Sequence, residues 1–438
     1  MRRFSTALAV CLIIFAAALT RAITNDTAED NQREGVAAHA RELLEEGRRV
    51  FRFDTFGDEV FWGDTLKLHQ AIAGAALGGV GPGVSPATAL AVGLKVDVEA
   101  LPPALQQAIQ AGEVNLNDPA TTLALLRLNA VVGVTGIFDG SRLSSIGIQC
   151  ALCHSDVDNS FAPGIGKRRD GWPNRDLNVG AIVALAPNLA PVSQLLGVDD
   201  RTLRAVLNAW GPGRYDAAVF VDGKALRPDG QPGTVVIPPA FGLAGVNLHT
   251  STGWGGVSHW NAFVANLEMH GQGTFYDPRL NDPLKFPVAA RAGFGDVRAD
   301  HDRVTSKLPA LQFYQLALDA PRPPAGSFDP RAAESGKEMF NGRAGCARCH
   351  VPPLFTEPGW NLHAPSEIGI DDFQAQRSPD GGYRTTPLRG LFTRLKGGFY
   401  HDGRFKTYEA VVDHYDRVFG LRLSAQERHD LVEYLKSL

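Results

Sequence analysis

The 438-residue sequence is poor in several features that would each assign it to a well-defined class. Lysine and arginine total 43 against 47 for aspartate and glutamate, and no stretch concentrates basic residues, so we expect no nucleic-acid partner. The one long apolar run, residues 7–19, is too short to span a bilayer. Hydrophobic residues make up 44% of the chain, which is enough for a sizeable core in two or three domains.

The apolar run has the surroundings of an export signal. Arg2 and Arg3 precede it, and a small-residue site ending at Ala22 follows it. A cationic segment, an apolar segment and a cleavage site in this order are typical of a secretory signal peptide. We therefore predict a signal peptide at 1–22, a periplasmic protein and no transmembrane span after cleavage. An uncleaved anchor or a buried helix is the alternative.

Cysteine is also scarce, and beyond the signal every cysteine belongs to one type of motif. Cys11 lies in the apolar run, and the other four cysteines form two C-x-x-C-H motifs. The first haem motif is Cys150, Cys153 and His154, and the second is Cys346, Cys349 and His350. In this signature two thiols form thioethers with a haem and the histidine ligates its iron. The sequence therefore predicts two covalently bound c-type haems, with no cysteine left for a disulfide.

Two other uses of paired cysteines fit the sequence less well. A thioredoxin-like redox pair needs a surrounding βαβ pattern, which is missing, and gives no role to a histidine that twice follows the second cysteine. A four-cysteine zinc site would join motifs that lie 196 residues apart and would leave both histidines without a role.

The chain divides at a proline-rich linker, 321–326. Downstream, the segment 336–340 predicts an opening helix before the second haem motif, and Ser424 with Glu427 forms a capping box for a terminal helix. Upstream, the similar segment 47–51 lies well before the first haem motif. Further helical patterns occur near 36–50, 64–76, 102–111, 119–130, 202–210 and 311–318.

The fold class that follows is mainly α, with two cytochrome c-like haem domains and long irregular connections. We predict an N-terminal haem domain with an elaborated insertion at 23–320, the linker at 321–326 and a C-terminal cytochrome c domain at 327–438. Residues 155–300 are rich in Gly, Pro, Asn and Asp, so we expect irregular chain folded around haem there.

Methionine is also scarce, and this limits which residues can be the second ligand of each iron. Beyond the signal there are only Met269 and Met339, and Met339 lies in the helix before its own motif, where packing is favoured. A His/Met pair, typical of high-potential electron carriers, is therefore not expected for at least one haem. The alternatives left open for the first haem are four histidines, His69, His249, His259 and His270.

A polar and aromatic segment in the C-terminal part carries a family resemblance. It contains T-P-L-R-G at 386–390, G-F-Y-H-D-G-R at 398–404, and Tyr415 fourteen residues after His401. Together with the haem motifs, these stretches resemble the bacterial dihaem cytochrome c peroxidase and MauG superfamily. The resemblance covers 327–438 well and the first half loosely, and it implies an oxidoreductase enzyme.

The resemblance also implies roles for single residues. Tyr415 would be the second ligand of the iron at His350; His414 next to it, or a merely packed aromatic, is the alternative. Trp254 would relay electrons between the haems. Glu268 would be the acid-base group over the first haem, because peroxide cleavage needs a proton moved between its oxygens. A solvated helix position is the alternative for Glu268.

Three departures from the family pattern qualify the resemblance. No histidine lies between His154 and His249, so the first iron would be open to peroxide or dioxygen. The stretch 155–253 is longer than in ordinary peroxidases and suggests an elaboration that faces a substrate or partner. Lys396 and Gly398 stand where the family has a threonine and a proline next to a calcium ion, which argues against calcium.

The function that we predict is a periplasmic dihaem oxidoreductase in which the C-terminal haem passes electrons to a peroxide- or dioxygen-binding N-terminal haem. Tyr415 and the missing histidine favour a MauG-like or rubber-oxygenase-like enzyme. The expected partners are an electron donor or acceptor protein and, as is common in the family, a second copy of the chain. A non-enzymatic bis-ligated electron carrier and a haem-based sensor are the alternatives.

Overall fold

The computed structural model describes residues 32–438, so the predicted signal peptide lies outside the described residues. The first described helix covers 32–53. The α-helices after it are Leu68–Ala73, Pro86–Ala91, Pro103–Gln110, Pro119–Arg127, Ala151–His154, Val179–Val183, Ala190–Leu196, Asp200–Ala209, Val219–Asp222, Val257–Phe263, Pro287–Ala292, Leu308–Ala317, Pro330–Asn341, Phe373–Gln376, Tyr408–Phe419 and Ala425–Lys436. Two π-helical segments cover Val60–Thr65 and Val264–Glu268. Short 3₁₀ turns cover Ala75–Leu77, Val98–Ala100, Pro278–Asn281, Thr305–Lys307, Cys346–Arg348 and Leu391–Arg394.

The helices predicted from periodicity are present, with one interruption. Pro119 opens its helix at the first position, where proline costs no hydrogen bond, and Asp118 caps it by accepting from the Ala120 amide. The capping box of Ser424 and Glu427 is formed in both directions. The pattern near 64–76 is not one helix, because Lys67 has a left-handed backbone (φ 59°) that separates a π-helical segment from a short α-helix.

Strands were not predicted, and the described chain has five two-stranded sheets. The longest pairs Val134–Asp139 with Arg142–Ile148 in an antiparallel hairpin that leads directly into the first haem motif. Its inward residues include Leu143 and Ile146, which are almost fully buried. The other pairs are Val96–Asp97 with Ile165–Gly166, Ser155–Val157 with Arg168–Asp170, Arg214–Tyr215 with Val235–Val236, and Thr274–Tyr276 with Asp296–Arg298.

The N-terminal helix crosses the helix Leu308–Ala317 at a glycine. A Cβ on Gly47 would lie 2.0 Å from the Ala310 carbonyl oxygen and 2.6 Å from the Tyr314 Cβ, so only glycine allows this approach. One turn further on, the Phe51 ring contacts the Tyr314 ring at a centroid distance of 5.7 Å.

The C-terminal part repeats this crossing between the helices Pro330–Asn341 and Ala425–Lys436. A Cβ on Gly336 would lie 2.0 Å from the Asp430 carbonyl oxygen and 2.8 Å from the Tyr434 Cβ. The Phe340 ring contacts the Tyr434 ring at 5.2 Å. The repeated segments at 47–51 and 336–340 therefore mark the same packing arrangement, one before each haem motif.

A buried ion cluster joins the C-terminal part to the insertion. Arg377 is 2% exposed, and its Nε donates to Asp222 Oδ2 at 2.8 Å. Its Nη2 lies 3.0 Å from Asp216 Oδ1, and its Nη1 donates to the Gly233 carbonyl at 2.8 Å. The linker at 321–326 contains no helix or strand. No helix among residues 32–438 is long and apolar enough to cross a membrane.

Candidate active site

One cavity of about 930 Å³ brings the two haem motifs together. All six motif residues line it, although the motifs lie far apart in the sequence. Its wall also includes the predicted site residues Trp254, Glu268 and Tyr415. Most of the remaining wall is aliphatic and aromatic, which suits a large apolar cofactor.

The motif histidines are oriented in the same way. The Nδ1 atom of His154 lies 3.1 Å from the Pro238 carbonyl oxygen, and Nδ1 of His350 lies 3.1 Å from that of Phe355. A Nδ1–H that donates to a carbonyl leaves the Nε2 lone pair for a metal. Burial lowers the pKa of His154, and it lowers that of His350 to about 4, which favours the neutral, ligating form.

The motif thiols do not have the environment of redox cysteines. Burial raises the pKa of Cys150 and of Cys153 to about 12, whereas reactive redox cysteines have lowered values. The four cysteines also do not gather into a zinc site. In residues 32–438, the one group of potential metal-binding side chains with close ligand atoms is Cys349, Glu357 and His363.

Three arginines on the cavity wall, of which Arg175 and Arg394 are buried and Arg384 is half-buried, have no carboxylate partner among the described residues. Arg384 donates to the carbonyl groups of Thr250 and Leu248, while the Nε atoms of Arg175 and Arg394 have no partner. Burial lowers the pKa of Arg175 and of Arg384 to about 9, and that of Arg394 to about 10.

The positive charges of these arginines indicate what kind of molecule fits the cavity. Uncompensated buried cations are costly, so a cavity with three of them requires anions from its occupant. Haem carries carboxylate side groups, and guanidinium binds carboxylate well. The apolar wall, the paired thiols, the motif histidines and the arginines together match the chemistry of c-type haem.

The position of Arg175 also affects whether a calcium ion could bind near the second haem motif. Its Nη1 lies 3.3 Å from the Lys396 carbonyl oxygen and 3.5 Å from that of Gly398. These are the positions where the family resemblance would place calcium contacts. A guanidinium at these carbonyls would compete with and repel a divalent cation at the same position.

Tyr415 and His414 have different surroundings on the helix Tyr408–Phe419. Tyr415 lines the cavity near Cys346 and Cys349 and stacks on Phe419 at 5.6 Å. His414 is not among the lining residues, and its Nε2 lies 2.9 Å from the Ile368 carbonyl oxygen. This geometry favours Tyr415 over His414 as the ligand candidate.

Glu268 lies at the end of a π-helical segment, is half-buried and lines the cavity. Among the described residues, its buried Oε1 atom has no hydrogen-bond partner. Burial raises the pKa of Glu268 to about 8. A carboxyl group with a pKa in this range can both hold and release a proton near neutral pH.

Trp254 is 5% exposed and lines the same cavity. Its indole Nε1 donates to Asp277 Oδ2 at 3.2 Å, and its ring stacks on Phe286 at a centroid distance of 5.4 Å. The ring is therefore fixed in place at the wall shared by both haem motifs.

The four histidines left open as ligands of the first haem divide into two pairs. His249 and His270 line the cavity, whereas His69 and His259 are not among its lining residues. His270 stacks on Phe61 with ring centroids 3.7 Å apart. Met269 is also on the wall, while Met339 packs into the core of the C-terminal part, as its position in the helix suggested.

The sequence did not point to several residues of this site. Arg175 comes from a segment distant from Arg384 and Arg394, and nothing in the local pattern of the three distinguishes them from surface arginines. Tyr215 and Tyr400 also line the cavity, next to Glu268 and Tyr415 respectively. The aromatic density around 398–405 was a usable signal for Tyr400, but none marked Tyr215.

Comparison with curated proteins finds relatives of two named kinds. The chain is 27% identical over 236 residues to the methylamine utilization protein MauG of Methylorubrum extorquens, a match covering 46% of this chain and 63% of that protein. It is 27% identical over 223 residues to the cytochrome-c peroxidase IdrP1 of a Pseudomonas species, covering 39% and 58%. The chain is therefore similar to members of the MauG and dihaem cytochrome c peroxidase superfamily.

The matches span about 58–63% of the curated superfamily members. Hydrazine synthase of Kuenenia stuttgartiensis matches at 17% identity and a TM-score of 0.30, over 49% of this chain and 76% of that one. A MauG-like protein associated with microbial copper homeostasis matches at 22% identity and a TM-score of 0.25, over 30% and 56%. Scores this low do not establish a common fold. No protein-family model matches the chain.

Proposed function

We propose that the chain is a periplasmic dihaem c-type cytochrome oxidoreductase of the cytochrome c peroxidase and MauG type. In it, the C-terminal haem passes electrons to an N-terminal haem that binds peroxide or dioxygen. The observation that carries the proposal is the single cavity whose wall holds both haem motifs together with Glu268, Trp254 and Tyr415.

Two haem domains, 23–320 and 327–438, are part of this proposal. The repeated crossing supports it, because each haem motif is preceded by a helix with a crossing glycine and a buried phenylalanine. In each case the partner helix supplies a tyrosine that packs on both. The two motifs also share a cavity with Trp254 on its wall, which supports electron transfer between the haems through this fixed aromatic.

At the first site, His154 would hold the iron and Glu268 would handle protons. Bound haem iron would supply the centre at which peroxide or dioxygen is activated. The unpartnered Oε1 of Glu268 can take a proton from one peroxide oxygen and return it to the other. The apolar wall excludes bulk water, which would otherwise compete for both tasks.

At the second site, His350 and Tyr415 would form the ligand pair. A tyrosinate ligand is a hard anion that favours ferric iron, so this site would have a low potential and would donate electrons readily. Together with the lack of a histidine soon after the first haem motif, Tyr415 supports the MauG-like or rubber-oxygenase-like branch. An electron donor or acceptor protein and a homodimer are the partners that we propose.

The test is an electron paramagnetic resonance spectrum of the oxidised, haem-loaded protein before and after addition of hydrogen peroxide. We expect a high-spin signal from one haem and a low-spin signal from the other, with the high-spin signal lost on addition of peroxide. Two low-spin signals that ignore peroxide would overturn the proposal in favour of a bis-ligated electron carrier. A response to peroxide without catalytic turnover would favour a sensor.

A further inference from the structure

Two arginines on the cavity wall cross in opposite directions between the N-terminal and C-terminal parts of the chain, before and after the linker. Arg175 belongs to the N-terminal part, and its Nη1 lies 3.3 Å from the carbonyl oxygen of Lys396 in the C-terminal part. Arg384 belongs to the C-terminal part, and its Nη1 donates to the Leu248 carbonyl of the N-terminal part at 2.8 Å. Each part therefore places a guanidinium against the backbone of the other.

A third arginine lies near both crossings. Arg394 lines the same cavity and comes two residues before Lys396, whose carbonyl group Arg175 contacts. The pKa of Arg175 and that of Arg384 are lowered chiefly by burial and further by the positive charge of Arg394. We call Arg175, Arg384 and Arg394 the arginine group.

The arginine group is carried by segments that contact both haem motifs. The residue before Arg175 donates its backbone amide to the Cys153 carbonyl of the first motif at 2.9 Å. The residue after Arg384 accepts, at its carbonyl group, a hydrogen bond from the Thr356 hydroxyl in the loop that follows the second motif. The group therefore lies where the surroundings of the two motifs meet.

The cavity wall at the arginine group also has hydrogen-bond donors that no other described residue satisfies. The Nε atoms of Arg175 and Arg394 are buried without a partner, and these residues are 6% and 9% exposed. The hydroxyl groups of Thr250 and Tyr408 line the same cavity and also lack a partner. Since buried donors without acceptors are costly, this region of the wall suits an occupant with several acceptor oxygens.

We propose that the arginine group is a single carboxylate-binding site shared by the two haems, on which propionate groups of both converge. The inference rests on the proposed function, in which two haems occupy the cavity. It goes further because it gives the two irons a common set of fixed positive charges. Propionates are the carboxylate side groups of haem, and guanidinium can bind a carboxylate through two parallel hydrogen bonds.

The test measures the reduction potential of each haem in Arg175→Met and Arg394→Met, by spectroelectrochemistry of the haem-loaded protein. The matched control is Arg298→Met, which removes an exposed arginine that pairs with Asp296 and does not line the cavity. Arg175→Lys and Arg394→Lys keep the charge but lose the planar guanidinium. Haem content shows that each variant is loaded, and the propionate bending bands of the resonance Raman spectrum report hydrogen bonds to the carboxylates.

We expect each methionine variant to lower both potentials, because the substitution leaves haem carboxylates without a counter-charge. The ratio of reduced to oxidised haem at a fixed potential should fall roughly tenfold, which is ~59 mV for a one-electron couple. The lysine variants should keep most of each potential but shift the propionate bands of both haems. Arg298→Met should match the wild type in potentials and bands.

The results that would overturn the inference differ from those that would overturn the proposed function. If each methionine variant lowers only one potential, the arginines serve separate haems and the site is not shared. If the potentials or the propionate bands keep their wild-type values, the haem carboxylates lie elsewhere. If the methionine variants fail to load haem, the lysine variants decide, since the propionate bands of both haems must shift. A wild-type protein that binds fewer than two haems would instead overturn the proposed function.

Discussion

Replacing Arg377 by methionine should destabilise the protein severely. The guanidinium is the cation between Asp216 and Asp222, whose side chains are 1% and 0% exposed. The substitution keeps the apolar volume but leaves two carboxylates buried without a counter-charge. Breaking a buried ion pair from one side costs about 3–5 kcal/mol in the free energy of unfolding.

The pH dependence of this loss gives a sharper test than its size. Burial raises the pKa of Asp216 to about 7 even with Arg377 beside it, against about 3.9 in an unfolded chain. The folded state therefore binds more protons between these values, and its stability falls as pH rises through this window. Arg377 lowers the pKa of Asp216, so without it this carboxyl is harder to ionise, and the deficit of the variant should be larger at pH 8 than at pH 5.

The assay is urea unfolding of the haem-loaded protein, followed by far-ultraviolet circular dichroism at both pH values. The matched control is Arg298→Met, which breaks an exposed pair with Asp296 (2.6 Å) and should cost less than about 1 kcal/mol. Adding Asp216→Asn and Asp222→Asn to Arg377→Met should restore part of the stability, since no buried charge is then left. A deficit no larger than that of the control, or one that is equal at both pH values, would refute the reasoning.

Three further outcomes are expected. Gly336→Val should destabilise the C-terminal crossing by about 1–3 kcal/mol, because even a Cβ would lie 2.0 Å from the Asp430 carbonyl oxygen; thermal unfolding checks this against Gly35→Ala, where nothing lies within 4 Å. Arg384→Met should lower the reduction potential of at least one haem, measured by spectroelectrochemistry, because a positive charge in the cavity wall favours the reduced state. Unchanged potentials would count against haem carboxylates as the partners of Arg384. The rate of reaction with peroxide should rise with pH through a midpoint near 8, set by ionisation of Glu268. If the Glu268→Gln variant keeps this midpoint, Glu268 is not the group that handles the protons.

The parts of the site that could be predicted from sequence depend on local spacing. Thioether attachment needs two thiols and a histidine at fixed separations, so the haem motifs are readable from six residues. The capping box at Ser424 and Glu427 is equally local. Tyr415 and Glu268 came from the family resemblance, and the structure places both on the cavity wall.

The parts that could not be predicted depend on long-range packing. Arg384 and Arg394 are close in sequence, but Arg175 joins them only because a distant segment folds around the same cavity. The hairpin before the first haem motif escaped prediction because a register shift in its pairing puts the buried Leu143 and Ile146, three residues apart, on one face, which breaks the apolar alternation typical of a strand.

The ion cluster of Arg377 has a consequence for how the protein matures. The cluster fastens the C-terminal half onto the insertion of the N-terminal half, and the thiols of both halves face the cavity between them. A cofactor as large as haem must reach each pair of thiols before the halves dock. Covalent loading should therefore precede final closure, and a chain that closes early would be trapped without its prosthetic groups.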